Sequence, residues 1–122
     1  MAERKERRTG GALRVPFVRR CTIDLPGGAS AQAFIVNINV LGAYLAQDEL
    51  PVLGQGVRCR FRTPGNDLEL ATEAVVAWVN PRQQHPVHSL PPGFGISFRH
   101  ISARDRARIE AVVADYVRRN PR

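Results

Sequence analysis

The feature that most constrains the fold is a strict alternation of apolar and charged residues in the middle of the chain. Val57, Cys59 and Phe61 are apolar, and an arginine stands at each of the positions 58, 60 and 62. Because successive side chains of a strand point to opposite faces, this spacing predicts a strand with one buried and one exposed face. The central part of the chain is therefore expected to form β-sheet.

Five further segments carry strand signals, and turns rich in glycine and proline separate them. The predicted strands cover residues 13–24, 30–37, 42–46, 56–63, 68–80 and 92–99. In the fifth strand one face is expected to be apolar, and it consists of Leu70, Thr72, Ala74, Val76 and Trp78.

The C-terminal segment changes from a period of two to the helical period. Ser102 is followed three residues later by Asp105, an arrangement that resembles a capping box at a helix start. The apolar residues that follow share one helical face: Ile109, Val112, Val113, Tyr116 and Val117. We predict a helix over residues 102–119 that packs on the sheet. Six strands and one terminal helix in 122 residues predict an all-β domain, a small antiparallel barrel with a C-terminal helix.

Positive charge is concentrated at the two ends of the chain, which has 18 basic and 11 acidic residues. Residues 1–12 are charged and then rich in glycine, so we expect a flexible basic arm followed by one domain over residues 13–122. A cationic segment favours an anionic partner, such as nucleic acid, a nucleotide, a membrane surface or an acidic protein. All but one of the basic residues are arginine, whose planar fork binds phosphates and guanine edges in a bidentate manner.

Sequence signatures of catalysis are missing. The chain contains neither a Walker loop nor a dinucleotide-binding glycine motif, and His85 and His88 have no Cys, Asp or Glu beside them to complete a metal set. We therefore expect a binding module that is not an enzyme, with no catalytic residues, no metal and no resident cofactor. No apolar run has the length of a membrane span, and two cysteines do not form a disulfide framework. These features predict a cytoplasmic protein without membrane insertion, with Cys21 and Cys59 reduced and buried.

The most specific stretch surrounds two asparagines and a glycine. Asn37 and Asn39 alternate with apolar residues, so in an extended chain their amides would lie on the same side and could hydrogen-bond a ligand or each other. Gly42 would permit a positive φ or a close backbone approach before the next strand. The alternative is a β-turn held by asparagine caps, with no ligand.

Joined to the basic N-terminus, this stretch resembles the PilZ domain, the bacterial receptor family for cyclic di-GMP. The family pattern is an Arg-x-x-x-Arg arm followed by Asp/Asn-x-Ser-x-x-Gly. Asn37-x-Asn39-x-x-Gly42 matches the second motif at its first and last positions, with Asn39 in place of serine. The segment from Gly93 to Phe98 is similar to the last strand of the family.

The arginine arm departs from the family pattern in its position. Arg4-x-x-x-Arg8 has the right spacing, whereas Arg14 holds the place directly before the first strand and Gly10 stands four residues earlier. The functional pair is therefore either Arg4 with Arg8 or Arg8 with Arg14.

The resemblance implies a six-stranded antiparallel PilZ-like barrel with a C-terminal helix, and cyclic di-GMP as the ligand. It also implies that the arm folds over the ligand and relays binding to a protein partner, which the sequence does not identify. The ligand-binding residues carried over from the family pattern are Arg4, Arg7, Arg8, Arg14, Asn37, Asn39 and Gly42.

Three functions remain open from the sequence. The first is a switch that responds to cyclic di-GMP, the second a PilZ-like protein adaptor that does not bind it, and the third a nucleic-acid-binding barrel. The third is disfavoured because single-strand binders interleave exposed aromatic residues with basic ones. Here the aromatic residues are expected on apolar faces: Phe61, Trp78, Phe94 and Phe98.

Overall fold

The computed structural model of the chain describes residues 13–81 and 90–121. Within these residues six antiparallel strands close into a barrel, and a single helix follows the last strand, which confirms the predicted fold class. The elements are β1 (Val15–Asp24), β2 (Ser30–Ile38), β3 (Gly42–Ala46), β4 (Gly56–Phe61), β5 (Leu70–Asn80), β6 (Gly93–Arg99) and α1 (Ala103–Arg119). Around the barrel the order is β1-β2-β3-β6-β5-β4, so β1 pairs with β4 to close it.

The strand ends differ from the predicted ones by up to two residues. Two-residue differences occur at the start of β1 and on both sides of the connection between β4 and β5, where the strands stop at Phe61 and resume at Leu70. Thr63 has left the sheet there and is buried beneath the helix, and Gly65 turns the chain with a φ of 74°.

Aliphatic and aromatic side chains from the inward faces fill the barrel. Val57, Cys59 and Phe61 are buried, whereas Arg58 and Arg62 are exposed, so the alternation of β4 is confirmed. Non-directional burial of this kind supplies the main driving force for folding.

The two cysteines belong to this interior. Cys21 and Cys59 are free thiols and both are buried. The hydrogen bond with Cys21 and the burial of the thiol hold the pKa of Cys59 well above its usual value. A thiol that stays protonated is a poor nucleophile and a poor metal ligand, so Cys59 contributes packing and not reactivity.

Trp78 is the clearest departure from the predicted faces. The alternation predicts it inside the barrel with Val76, but Val76 is 1% exposed and Trp78 is 36% exposed on the outside. The register of β5 against β6 shifts between these two residues. Such a bulge adds one residue to one strand, and with a side-chain period of two it moves every later side chain to the other face. The predicted position of Trp78 is wrong for this reason.

The helix begins where the sequence predicts. Ser102 Oγ accepts a hydrogen bond from the backbone N–H of Asp105 at 3.0 Å, which satisfies one of the free donors of the first turn. Ile109 is fully buried, and Val112, Val113 and Tyr116 are partly buried against the barrel core. The last turn is exposed instead, with Val117 at 48%, so the prediction that Val117 packs on the barrel is wrong.

A polar contact fixes the middle of the helix to the β4–β5 connection. Arg108 donates from Nε and Nη2 to Thr63 Oγ1, at 3.1 and 2.9 Å, and Nη2 also donates to the carbonyl oxygen of Leu68 at 2.7 Å. The helix therefore lies across the end of the barrel at which β4 ends and β1 begins.

Candidate functional site

Asn37 lies on the outer surface of β2, where two register shifts meet. Its cross-strand neighbours are Pro16 on β1 and Tyr44 on β3. The pairing of β2 with β3 shifts between Ile35 and Asn37, and that of β1 with β2 shifts between Pro16 and Arg19. Bulges are common next to binding sites because they re-aim side chains, and here Asn37 stays half-buried beside two buried isoleucines.

Arg14 reaches Asn37 from the residue before β1. Its Nη1 donates to Asn37 Oδ1 at 3.4 Å, which is long for such a bond. Burial lowers the pKa of Arg14 from its usual value, although a guanidinium remains charged in proteins. Among the described residues this half-buried cation has one long side-chain hydrogen bond, and a guanidinium has further donors that can bind an anion.

Asn39 holds the turn that follows Asn37. The strand ends at Ile38, and Asn39 Oδ1 accepts from the backbone N–H groups of Leu41 at 2.8 Å and Gly42 at 3.0 Å. Asn39 is only 3% exposed, and its backbone N–H donates to the carbonyl oxygen of Gly42 at 2.9 Å. This is the asparagine-capped turn that the sequence leaves open as an alternative.

Gly42 is required by a close approach of two backbones. A Cβ at this position would collide with the carbonyl oxygen of Ile96 on β6, because β3 and β6 pair directly there. Of the two roles expected for Gly42, the structure shows the close approach.

The two asparagines can be separated by their effect on stability. Asn39→Ala removes the acceptor for one buried and one part-buried N–H group and is expected to lower the free energy of unfolding by about 1–3 kcal/mol. Asn37→Ala removes one long contact with Arg14 and should stay within about 0.5 kcal/mol of the wild type. Urea denaturation followed by circular dichroism measures both. Equal losses for the two variants would contradict the assignment of Asn39 to the turn.

An aromatic pair that the sequence does not reveal adjoins Asn37. The rings of Tyr44 and Trp78 stack with centroids 5.2 Å apart and planes 29° from parallel. Trp78 lies over Gly95, where a Cβ would collide with the indole. Glycine inside a strand often marks a close approach, so Gly95 was the available signal, but it does not say which ring approaches.

Hydrogen bonds fix this aromatic pair to the chain before β6. The Tyr44 hydroxyl donates to the carbonyl oxygen of Pro91 at 2.6 Å and accepts from Asn80 Nδ2 at 3.1 Å. Burial raises the pKa of Tyr44, so the hydroxyl stays protonated near neutral pH. Tyr44 is fully buried, and Trp78 forms the exposed part of the pair.

The structure brings together only part of the predicted ligand-binding set. Arg14, Asn37, Asn39 and Gly42 lie at one end of the barrel, with Asn39 and Gly42 building the turn and Arg14 in contact with Asn37. The other predicted residues, Arg4, Arg7 and Arg8, lie outside the described residues.

The outward arginine row of β4 is largely occupied by intramolecular contacts. Arg60 forms a bidentate pair with Asp24, with nitrogen–oxygen distances of 2.7 and 3.0 Å, and also reaches Glu69 at 3.3 Å. Hydrogen bonds from Arg60 and Ser30 lower the pKa of Asp24 to about 2. Arg62 donates to the carbonyl oxygen of Asp67 at 3.0 Å. The centre of the row is therefore neutralised and offers little to a phosphate backbone.

The part of the chain that the structure describes has neither a cluster of metal-binding side chains nor a helix that could span a membrane. Across residues 13–81 and 90–121, no group of three or more His, Cys, Asp or Glu side chains could hold a metal ion. The only helix in those residues is too short and too polar to cross a membrane.

The family assignment rests on the match of the whole domain. A sequence model of the PilZ domain matches residues 2–115. The chain belongs to the PilZ domain family. No curated protein sequence matches it. The six-stranded barrel and the C-terminal helix described above are thus those of a PilZ domain.

Solved structures share this fold at low sequence identity. The Bacillus subtilis inhibitor of motility (MotI/DgrA) superimposes with a TM-score of 0.69 at 18% identity, over 88% of this chain and 51% of that protein. This chain therefore spans about half the length of MotI. The PilZ domain of CeSA from a cellulose-synthesizing bacterium gives a TM-score of 0.58 at 12% identity, over 84% of this chain and 96% of that domain. At these identities the likeness shows the fold alone.

Proposed function

We propose that this PilZ domain binds cyclic di-GMP at the surface formed by Arg14, Asn37 and the turn from Asn39 to Gly42, as a non-enzymatic signalling module of the cytoplasm. The observation that carries the proposal is the contact of Arg14 with Asn37, because it joins the basic start of the domain to the family motif. Cyclic di-GMP presents two phosphates and two guanines, and a guanidinium binds either group in a bidentate manner.

Some residues of this surface would contact the ligand, and others hold the shape of the turn. Arg14 and Asn37 are partly accessible and supply a fork of donors and an amide. Asn39 is buried and its Oδ1 is already bonded, so its contribution is the shape of the turn. Arg4, Arg7 and Arg8 complete the clamp in this proposal, and their closure over the ligand is the signal relayed to a protein partner.

Trp78 gives a direct test, since it is the only tryptophan of the chain and is stacked on the cross-strand neighbour of Asn37. Titration with cyclic di-GMP is expected to change its fluorescence saturably and to release or absorb heat in calorimetry. GMP at the same guanine concentration is the control, because it lacks the cyclic phosphodiester ring. If cyclic di-GMP produces neither heat nor a change in Trp78 fluorescence, the receptor function is excluded.

A second function is favoured by the replacement of the family serine. Asn39 fills that position with an amide that is buried and committed to the turn. If this leaves the ligand without a needed hydroxyl, the domain is an adaptor that binds a protein and no nucleotide. The titration separates the two functions, because an adaptor would give no signal with either nucleotide.

A further inference from the structure

A concave surface separate from the Asn37 face lies between α1 and the barrel. It is a groove of about 760 Å³, walled by the start of β1, the β4–β5 connection and the second half of the helix. Pockets of roughly 300–1,000 Å³ accommodate small molecules or a few side chains of a partner. The groove is therefore large enough to seat part of a bound segment.

The floor of the groove is apolar. Phe17 is 9% exposed and meets Phe61 edge to face, with ring centroids 6.2 Å apart. Val112 and Tyr116 are only partly buried, because each packs against the barrel core and also lines the groove. An apolar side chain placed on this floor would complete their burial, which contributes about 25 cal/mol per Å².

The rim of the groove is positively charged. Arg118 and Arg119 both pair with Asp115, and Arg119 Nη2 lies 2.8 Å from Asp115 Oδ2. Both arginine side chains are about 70% exposed, at 70% and 69%. Two guanidiniums that share one carboxylate retain a net positive charge, and each has donors left for a second acceptor.

We propose that this groove docks a segment of a partner protein in which an apolar side chain is flanked by acidic ones. The apolar side chain would lie on the partly buried Val112 and Tyr116, and a carboxylate would bind Arg118 or Arg119. The charge of the rim and the chemistry of the floor select this occupant. The proposal goes beyond the nucleotide site and does not depend on it, because the groove contains none of the residues of that site. The nearest groove residue is Pro16, the cross-strand neighbour of Asn37.

Two other anionic partners, single-stranded nucleic acid and a membrane surface, fit the groove less well. Single-stranded nucleic acid needs successive exposed ring faces for stacking, whereas the two aromatic residues that line the groove are the buried Phe17 and the partly buried Tyr116. An interfacial membrane helix needs an apolar face turned to the lipid, whereas the apolar residues of α1, such as Ile109 and Val113, face the barrel.

A matched pair of alanines on the helix tests the proposal. Ala111 lines the groove and Ala107, one turn earlier, does not, although both are exposed. The probe is a fluorescein-labelled synthetic peptide of paired glutamates and paired leucines, and its counterpart has lysine in place of every glutamate. In fluorescence anisotropy the acidic peptide is expected to bind and the basic one not. Ala111→Glu should weaken binding at least about tenfold through like-charge repulsion, while Ala107→Glu should not.

A second variant pair tests the rim. The double variant Arg118→Gln/Arg119→Gln should bind the acidic peptide more weakly than the wild type. Its affinity should also depend less on salt concentration, because two exposed charges are removed. Thermal unfolding of each variant establishes that the fold is intact. Equal effects of the two alanine variants, or equal binding of the basic peptide, would overturn the proposal. Binding of phosphatidylglycerol vesicles that Ala111→Glu abolishes, without binding of the acidic peptide, would assign the groove to lipid instead.

Discussion

Ile109→Ala is expected to lower the free energy of unfolding by about 2–5 kcal/mol, the range for truncating a large buried aliphatic side chain. Ile109 is the one helix residue that is fully buried, and it belongs to the cluster that fills the barrel. Because the barrel end around it is held by Arg108 and Thr63, the cavity can collapse only in part. Urea denaturation followed by circular dichroism gives the size of the loss.

Val117→Ala is the matched control on the same helix. Val117 is 48% exposed, so its truncation should change the free energy of unfolding by less than about 0.5 kcal/mol. A loss at Ile109 no larger than at Val117 would mean that α1 is not docked across the barrel. The groove proposed above would then have no helical wall, which makes this experiment a condition for that proposal as well.

The helix and the proposed nucleotide surface share one end of the barrel. The backbone N–H of Phe98, near the end of β6, donates to the carbonyl oxygen of Leu41 in the capped turn at 2.9 Å. The helix starts only a few residues after Phe98, behind Ile101, which packs on the core. The turn and the helix are thus connected through the last strand of the barrel.

The strands and the helix follow from local patterns, which is why the sequence predicts them. Alternation along β4 and the change of period after Ser102 depend only on side chains near in sequence. Among the described residues the barrel closes with every strand edge paired, because β1 pairs with β4. The order β3-β6-β5 depends on pairing between distant segments, and neither the local patterns nor the family resemblance predicted it.

Trp78 shows what local patterns miss. A bulge is decided by how β5 pairs with β6, and the residues of β5 alone give no sign of the extra residue at Ala77. Every side chain beyond a bulge changes face, so without the bulge the sequence predicts the wrong face of the sheet for Trp78, which adjoins the candidate site. The ion pair of Arg60 with Asp24 is likewise invisible locally, because 36 residues separate the two.

The candidate site was predicted in part for a similar reason. The asparagine-capped turn is a local structure, and the spacing from Asn39 to Gly42 already allows it. The approach of Arg14 to Asn37 spans 23 residues and depends on the register of β1 against β2. Only the family resemblance placed an arginine of the N-terminal segment beside this motif.

Arg14→Ala is expected to weaken cyclic di-GMP binding about ten- to a hundredfold, since a charge-assisted contact contributes about 1.5–3 kcal/mol. Arg14 is half-buried beside Asn37, so its side chain is already placed and loses little entropy when it binds. Asn37→Ala should weaken binding as well. Asn39→Ser restores the family pattern, and we expect little change in affinity because the Asn39 amide is held in the turn.

Arg58→Ala is the matched control for Arg14→Ala, and calorimetry with cyclic di-GMP measures both. Arg58 is exposed and pairs in register with Asp24, the last residue of β1, so it lies at the opposite end of the barrel. Weaker binding of cyclic di-GMP by both Arg8→Ala and Arg14→Ala would identify Arg8 and Arg14 as the functional pair. Weaker binding by Arg4→Ala and Arg8→Ala, with the affinity of Arg14→Ala unchanged, would instead identify Arg4 and Arg8. Tighter binding by Asn39→Ser would show that the amide crowds the ligand. Equal losses for Arg58→Ala and Arg14→Ala would mean that the effect is one of overall charge, and the Asn37 surface would no longer be supported as the binding site.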